Sequence, residues 1–352
     1  MKYLAFFAFA FFIISFLLIS YVMIRLTIRH SRRVKLMKWK KMCDLLVRTA
    51  ILAETHQIND EFKLTPRVKM MLSNGYFRRL LTDKLLVAKK NILGHSADGV
   101  TRLYLQLGLE KYAVAKLRSR YWNLKASAMQ EIGLMGLTIQ LPQIYRYTNN
   151  KKELVRDEAQ LTIIKLFGFD GLRFLDIISY QLTGWQQIRL LHELSLVESE
   201  NFSAIDKWLQ SENKSVVIFA IKLAATYRRF ELYNDVALHL ENIDEEIRLE
   251  AITCMKKWEA ADAKELLMNL FPQEIPKNQL AIATAFQTIC TNVDIPKLIS
   301  FLDTENNRLK YLLIKAIACI DVETIKVLKN SFSPAETDVL MIINQVEGEI
   351  IK

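Results

Sequence analysis

Five histidines, His30, His56, His95, His192 and His239, are scattered along 352 residues, and no two stand four apart, the helical spacing that lets a pair ligate one metal ion. The run His95-Ser96-Ala97-Asp98 holds the residue types of a base, a nucleophile and an orienting acid. Those groups work through spatial geometry, however, and chain neighbours do not supply it. The run reads as part of a loop, GHSADG at 94–99. No GxxxxGK[ST] loop is present to cradle a phosphate. No catalytic residue, cofactor or metal set is therefore expected.

Arg118, Arg120, Tyr121 and Trp122 are the one basic-aromatic cluster with a chemical use. It could stack on a sugar or a base, or meet an acidic partner. It could equally be an ordinary turn with Trp122 packed inside. Cys43, Cys254, Cys290 and Cys319 show no CxxC spacing, and the last three fall in apolar helical runs. They read as buried, reduced thiols.

The elements that must position these residues follow from a repeat. Leu209, Leu240, Phe271 and Leu302 lie 31 positions apart, each followed by a polar turn and an apolar run. A fixed period in this range marks stacked helical units. With few Gly and Pro residues, the class expected is all-α. A second set opens each inner helix: Leu124, Val155, Ile188, Val216, Ile247, Gln279 and Leu309. The next residue is often basic (Lys125, Arg156, Arg189, Arg248, Lys310), and Ala128, Ala159, Ala220, Ala251 and Ala283 offer small contacts for close helix packing. Six positions before the basic site stands Ser119, Asn150, Thr183, Ser211, Asn242 or Thr304, with Glu274 the exception. Short polar side chains there accept hydrogen bonds from free N–H groups at turns.

This pattern resembles the HEAT repeat, on Val155-Arg156, Ile188-Arg189 and Ile247-Arg248, over about residues 100–330. The resemblance implies an α-solenoid of helical hairpins, here with Asn, Ser or Thr where the family has a turn Asp. Ser333-Pro334-Ala335-Glu336 reads as a capping box opening a closing helix over 333–346.

Tyr3 to Ile24 carries no charge and is long enough, at about 1.5 Å per residue, to cross a bilayer core. Eight basic residues follow, Arg25, Arg29, Arg32, Arg33, Lys35, Lys38, Lys40 and Lys41, against one before. That asymmetry predicts a single-pass protein of the inner membrane, its N-terminus outside and its body cytoplasmic. The flank also suits anionic lipid headgroups. The organisation expected is a transmembrane anchor (1–24), a basic juxtamembrane segment (25–41), a helical connector (42–99), the repeat array (100–332) and a capping helix with tail (333–352). Residues 121–352 carry 25 basic and 31 acidic groups, which argues against nucleic acid as a partner.

The function expected is a non-enzymatic, membrane-tethered scaffold holding a membrane-associated protein. LYLQLGLEKYAVAKLRSRYWNLKASAMQEI, residues 103–132, resembles single-span bacterial HEAT-repeat proteins, which implies a membrane glycosyltransferase or envelope polysaccharide machinery as partner. The alternatives are an anionic-lipid surface adaptor or a HEAT-like enzyme of the DNA glycosylase or lyase type.

Overall fold

The computed structural model describes residues 2–55, 62, 64–92, 94–196, 204–332 and 337–350, the side chains of 2–11, 13–15, 53–55, 95 and 350 excepted. The described residues are helical, with no strand among them. The chain divides into two compact units, Met1–Phe167 and Gly168–Lys352.

The first unit contains α1 (Lys2–Thr55), α2 (Pro66–Leu72), α3 (Gly75–Asn91), α4 (His95–Gln106), α5 (Glu110–Leu117), α6 (Trp122–Met135), α7 (Leu141–Tyr145) and α8 (Glu153–Phe167). No Gly or Pro interrupts α1. Its second half carries Leu36, Trp39, Cys43, Leu46, Val47 and Ala50, a stripe at helical spacing that packs against α3 and α4. Trp39 meets Phe77 edge-on, with ring centroids 5.7 Å apart. Residues 20–35 are largely exposed. Among the described residues, no helix is long and apolar enough to cross a membrane. The side chains of 3–11 and 13–15, much of the expected span, lie outside those described.

Residues 94–99 are not the loop expected. Gly94 turns the chain at φ +69°, a left-handed conformation open to glycine, and α4 begins at the next residue. Asp98 then sits in the first helical turn, where a negative charge suits the helix dipole. Ser73 and Asn74 turn the chain between α2 and α3, and Asn74 caps α3 by accepting from the Tyr76 and Phe77 amides.

The second unit alternates short outer helices with longer inner ones. The inner series is α9 (Gly184–Ser195), α11 (Lys214–Thr226), α13 (Glu245–Trp258), α15 (Pro276–Ile289), α17 (Asn307–Ile320) and α19 (Thr337–Ile350). The outer series is α10 (Ile205–Leu209), α12 (Tyr233–Leu238), α14 (Lys264–Leu270), α16 (Ile295–Ser300) and α18 (Val322–Ser331). From α11 to α19 each inner helix packs on the next. The 31-residue ladder lies in this core, since Leu209, Leu240, Phe271 and Leu302 are all buried. The five alanines are fully buried too, allowing the helices their close approach. The capping box read at 333–336 lies outside the described residues, and the closing helix runs on to Ile350.

The second ladder needs a correction. Its buried position in α15 is Asn278, not Gln279, so Val216, Ile247, Asn278 and Leu309 keep a strict step of 31. One residue rotates a helix by roughly 100°, enough to exchange a buried side chain for a surface one. The same slip occurs in α9, where Gln187 is buried and Ile188 is exposed. Leu124 is also exposed, at the rim of a cavity.

The turns follow the reading closely. Ser119, Asn150, Ser211, Asn242 and Thr304 each accept from the amide two residues on, at 2.9–3.3 Å. Thr183 instead forms a capping box with Gln186. In the second unit, the residue two places on is a second cap. Asn213, Asp244 and Asn306 accept from the first amides of α11, α13 and α17, at steps of 31 and 62, the position between being Ile275, which cannot cap.

Candidate functional site

Charge is divided unevenly along the chain. Residues 1–167 hold 29 basic and 11 acidic groups, net +18, and residues 168–352 hold 19 basic and 27 acidic groups, net −8. The eight flank residues, Arg25, Arg29, Arg32, Arg33, Lys35, Lys38, Lys40 and Lys41, are all exposed on α1. Lys35 lies over the Trp39 ring, 4.8 Å from its centroid.

In the first unit the α5–α6 and α7–α8 turns form a basic-aromatic edge. Arg118, Arg120, Tyr121 and Trp122 are all exposed, so Trp122 is not a core residue. Arg120 donates to the Tyr121 hydroxyl at 2.9 Å and lies over its ring. Lys152, from the next turn, lies over Trp122 at 5.4 Å, and Lys125 over Tyr147 at 4.6 Å. Arg118 and Arg146 line an open hollow of about 440 Å³ with Gln143 and Tyr147. The turn sequence SRYWNLK contains no acid, and YRYTNNKK contains none before Glu153, which opens α8. In the second unit the turns before α11, α13, α15 and α17 read SENK, NIDEE, EIPK and DTENN, with acids in each, and LTGW before α9 has neither acid nor base. A basic edge is thus a property of these two turns and not of the repeat.

The second unit has a groove of its own, about 490 Å³, along the inner helices α9, α11 and α13. Lys222 donates to Gln187 Oε1 at 2.8 Å and lies 3.5 Å from Glu250. Burial pushes the Glu250 carboxyl above its ordinary value, with Lys222 and Lys257 only partly offsetting it. Lys214 ties Asp244 and Glu246 at 2.8 and 2.6 Å. Gln187, Lys222 and Glu250 did not emerge from sequence patterns, although Lys222 is the one charge within VVIFAIKLA.

Below this groove the Arg of the HEAT-like pattern has a structural role. Arg248 donates to the Asn242 carbonyl at 2.8 Å and to Glu274 through Nε at 2.5 Å and Nη2 at 3.0 Å. Glu274, the exception among the turn residues, is buried and also accepts from Asn278. Arg156 likewise donates to the Asn150 carbonyl at 3.0 Å.

Burial pushes the thiols of Cys43 up to about 11 and of Cys254 and Cys290 up to about 12. Cys319 is exposed, contrary to its reading as a buried thiol. Among the described residues, no group of His, Cys, Asp and Glu could hold a metal ion.

No family model matches the chain, and no curated protein matches it. Solved structures do. Human deoxyhypusine hydroxylase, in complex with glycerol, aligns over 82% of this chain and 99% of its own, at 13% identity and a TM-score of 0.31. The complex of CpcE and CpcF of phycocyanin lyase from Nostoc sp. aligns over 82% and 97%, at 12% identity and a TM-score of 0.26. Both bear the names of enzymes, and the expectation of a protein without enzymatic activity is withdrawn.

Proposed function

We propose that the chain sits at a membrane face through α1 and holds an acidic protein partner at the turn edge of its first unit. The observation that carries this reading is the exposed set Arg118, Arg120, Tyr121 and Trp122, joined by Lys152, on an edge where bases outnumber the single carboxylate, Glu153 at the start of α8. Arg, Tyr and Trp are the side chains that dominate binding energy in protein interfaces. The reading of Tyr3–Ile24 as a membrane-crossing anchor supplies the tether, and the basic flank supplies attraction to anionic lipid of about 1 kcal/mol per residue near the surface. Tethering raises the effective concentration of the edge toward any membrane-embedded partner. The resemblance to proteins that accompany membrane glycosyltransferases makes the acidic surface of such an enzyme the first partner to try.

The test is recovery from gently solubilised membranes with the wild type and with Arg118→Ala/Arg120→Ala/Trp122→Ala. One acidic partner should be recovered by the first and lost by the second. Equal recovery by both would remove the edge from the account.

A second reading places chemistry in the second unit. Glu250 is a carboxyl raised by burial, beside an ammonium, in a groove, the arrangement of a general acid. The lyase-type alternative takes this form: Glu250 holds a proton for a bound group, and Lys222 and Gln187 orient it. Glu250→Gln would abolish turnover on this reading and leave partner binding intact.

A further inference from the structure

A cavity of about 490 Å³ in the first unit is walled by one face each of α3, α5 and α6. Arg78 and Arg79 enter from α3, Tyr112 and Lys116 from α5, Ser119 from the turn beyond it, and Ser127 from α6. Two of the cations are fixed before anything binds. The Arg78 guanidinium lies 3.8 Å from the Tyr112 ring centroid and donates through Nη1 to the Leu72 carbonyl at 2.8 Å. Lys116 Nζ donates to Glu131 Oε2 at 2.7 Å, and the other carboxylate oxygen accepts from the Tyr104 hydroxyl at 2.8 Å.

Tyr104 and Glu131 are buried. Burial and the Glu131 charge raise the Tyr104 hydroxyl, which keeps it a donor. Desolvating a carboxylate is costly, and an apolar pair would fill the space without that cost. What the buried pair adds is a Lys116 ammonium held at the cavity wall. Arg79 is exposed at the mouth. The carboxylates that face these cations are Glu131, joined to Lys116, and Asp83, exposed at the rim.

We infer that this cavity binds a phosphate monoester, its oxygens taken by Arg79, the free N–H groups of Arg78 and the Lys116 ammonium, with the Ser119 and Ser127 hydroxyls as neutral donors. Guanidinium forks match phosphate oxygens in pairs, and a dianion answers two arginines where a carboxylate answers one. A small phosphorylated metabolite and the headgroup of phosphatidic acid share this chemistry.

The full chain in mild detergent is titrated with glycerol 3-phosphate. The chain in neutral bilayers is titrated with vesicles of phosphatidylcholine, alone or doped with phosphatidic acid or phosphatidylglycerol. Saturable binding of glycerol 3-phosphate, weakened roughly tenfold by Arg79→Ala, supports the site and identifies a free ligand. Binding to phosphatidic acid above phosphatidylglycerol, weakened by the same variant, supports it and identifies a lipid. Lys116→Met should act alike, but it leaves Glu131 unpaired, so Arg79→Ala, at an exposed position, carries the test. No binding of either probe up to about 10 mM, weaker than the usual range for small ligands, overturns the inference. So does binding of either probe that Arg79→Ala leaves unchanged, or equal binding to the two anionic lipids without any binding of glycerol 3-phosphate.

Discussion

Glu274 is where the residue scale decides stability. Burial alone would raise its carboxyl, but hydrogen bonds from Arg248 and Asn278 outweigh burial and hold it below the usual carboxylate range. Asp244 and Asp294 are held low in the same way, by Lys214 and Lys264 with backbone amides. A lowered folded-state value means stability that is full above the unfolded carboxylate range, about pH 4, and is lost as pH falls below it. Urea midpoints should therefore drop below about pH 4.5 and should drop less in Glu274→Gln. At pH 7 that variant removes one partner of a nearly buried pair and should cost about 3 kcal/mol, read by chemical denaturation; a cost under about 1 kcal/mol would contradict the pairing. Glu250 has the opposite sign. Its raised value favours the protonated form, so its contribution fades as pH rises. Glu250→Gln should leave stability at pH 8 unchanged or higher, with no difference near pH 4. A marked loss at pH 8 would make Glu250 a structural residue and not one kept for chemistry. None of this was legible from residue types, because pairing across helices 26 or 28 positions apart depends on which face each side chain occupies.

At the scale of elements, the repeat period was legible and the helix phase was not. A 31-residue step is a count, and it found Leu209, Leu240, Phe271 and Leu302 correctly. Phase depends on single residues: Asn278 looks like a surface residue and Gln279 no less so, and burial alone told them apart. The polar turn residues were found because their chemistry is local, and the second caps two positions on were missed for want of an obvious partner. Asn213→Ala, Asp244→Ala and Asn306→Ala should each destabilise the second unit by about 1 kcal/mol, measured by urea unfolding, and by similar amounts because the caps are equivalent. The helix ends at Arg228 and Glu259, also 31 apart, adopt positive φ without glycine, at 49° and 52°. Glu259→Gly should raise stability by about 1 kcal/mol; a loss would mean that the Glu side chain, not the backbone, governs that end.

The whole molecule joins a strongly basic unit to a mildly acidic one. Composition showed the imbalance and the sequence singled out Arg118–Trp122, but the joining of that cluster by Lys152 of the next turn required the fold. The proposed Tyr3–Ile24 anchor belongs to the same scale, and an intact chain that alkaline carbonate strips from membranes would speak against it. The central claim is that the Arg118–Trp122 edge meets an acidic protein at the membrane. A photo-crosslinking amino acid in place of Tyr121, activated in intact membranes, tests it most directly. The account predicts one cross-linked acidic protein, whose yield falls when salt is raised and when Arg118 and Arg120 are replaced by Ala. Adducts to lipid alone, or a protein adduct indifferent to both changes, would contradict it.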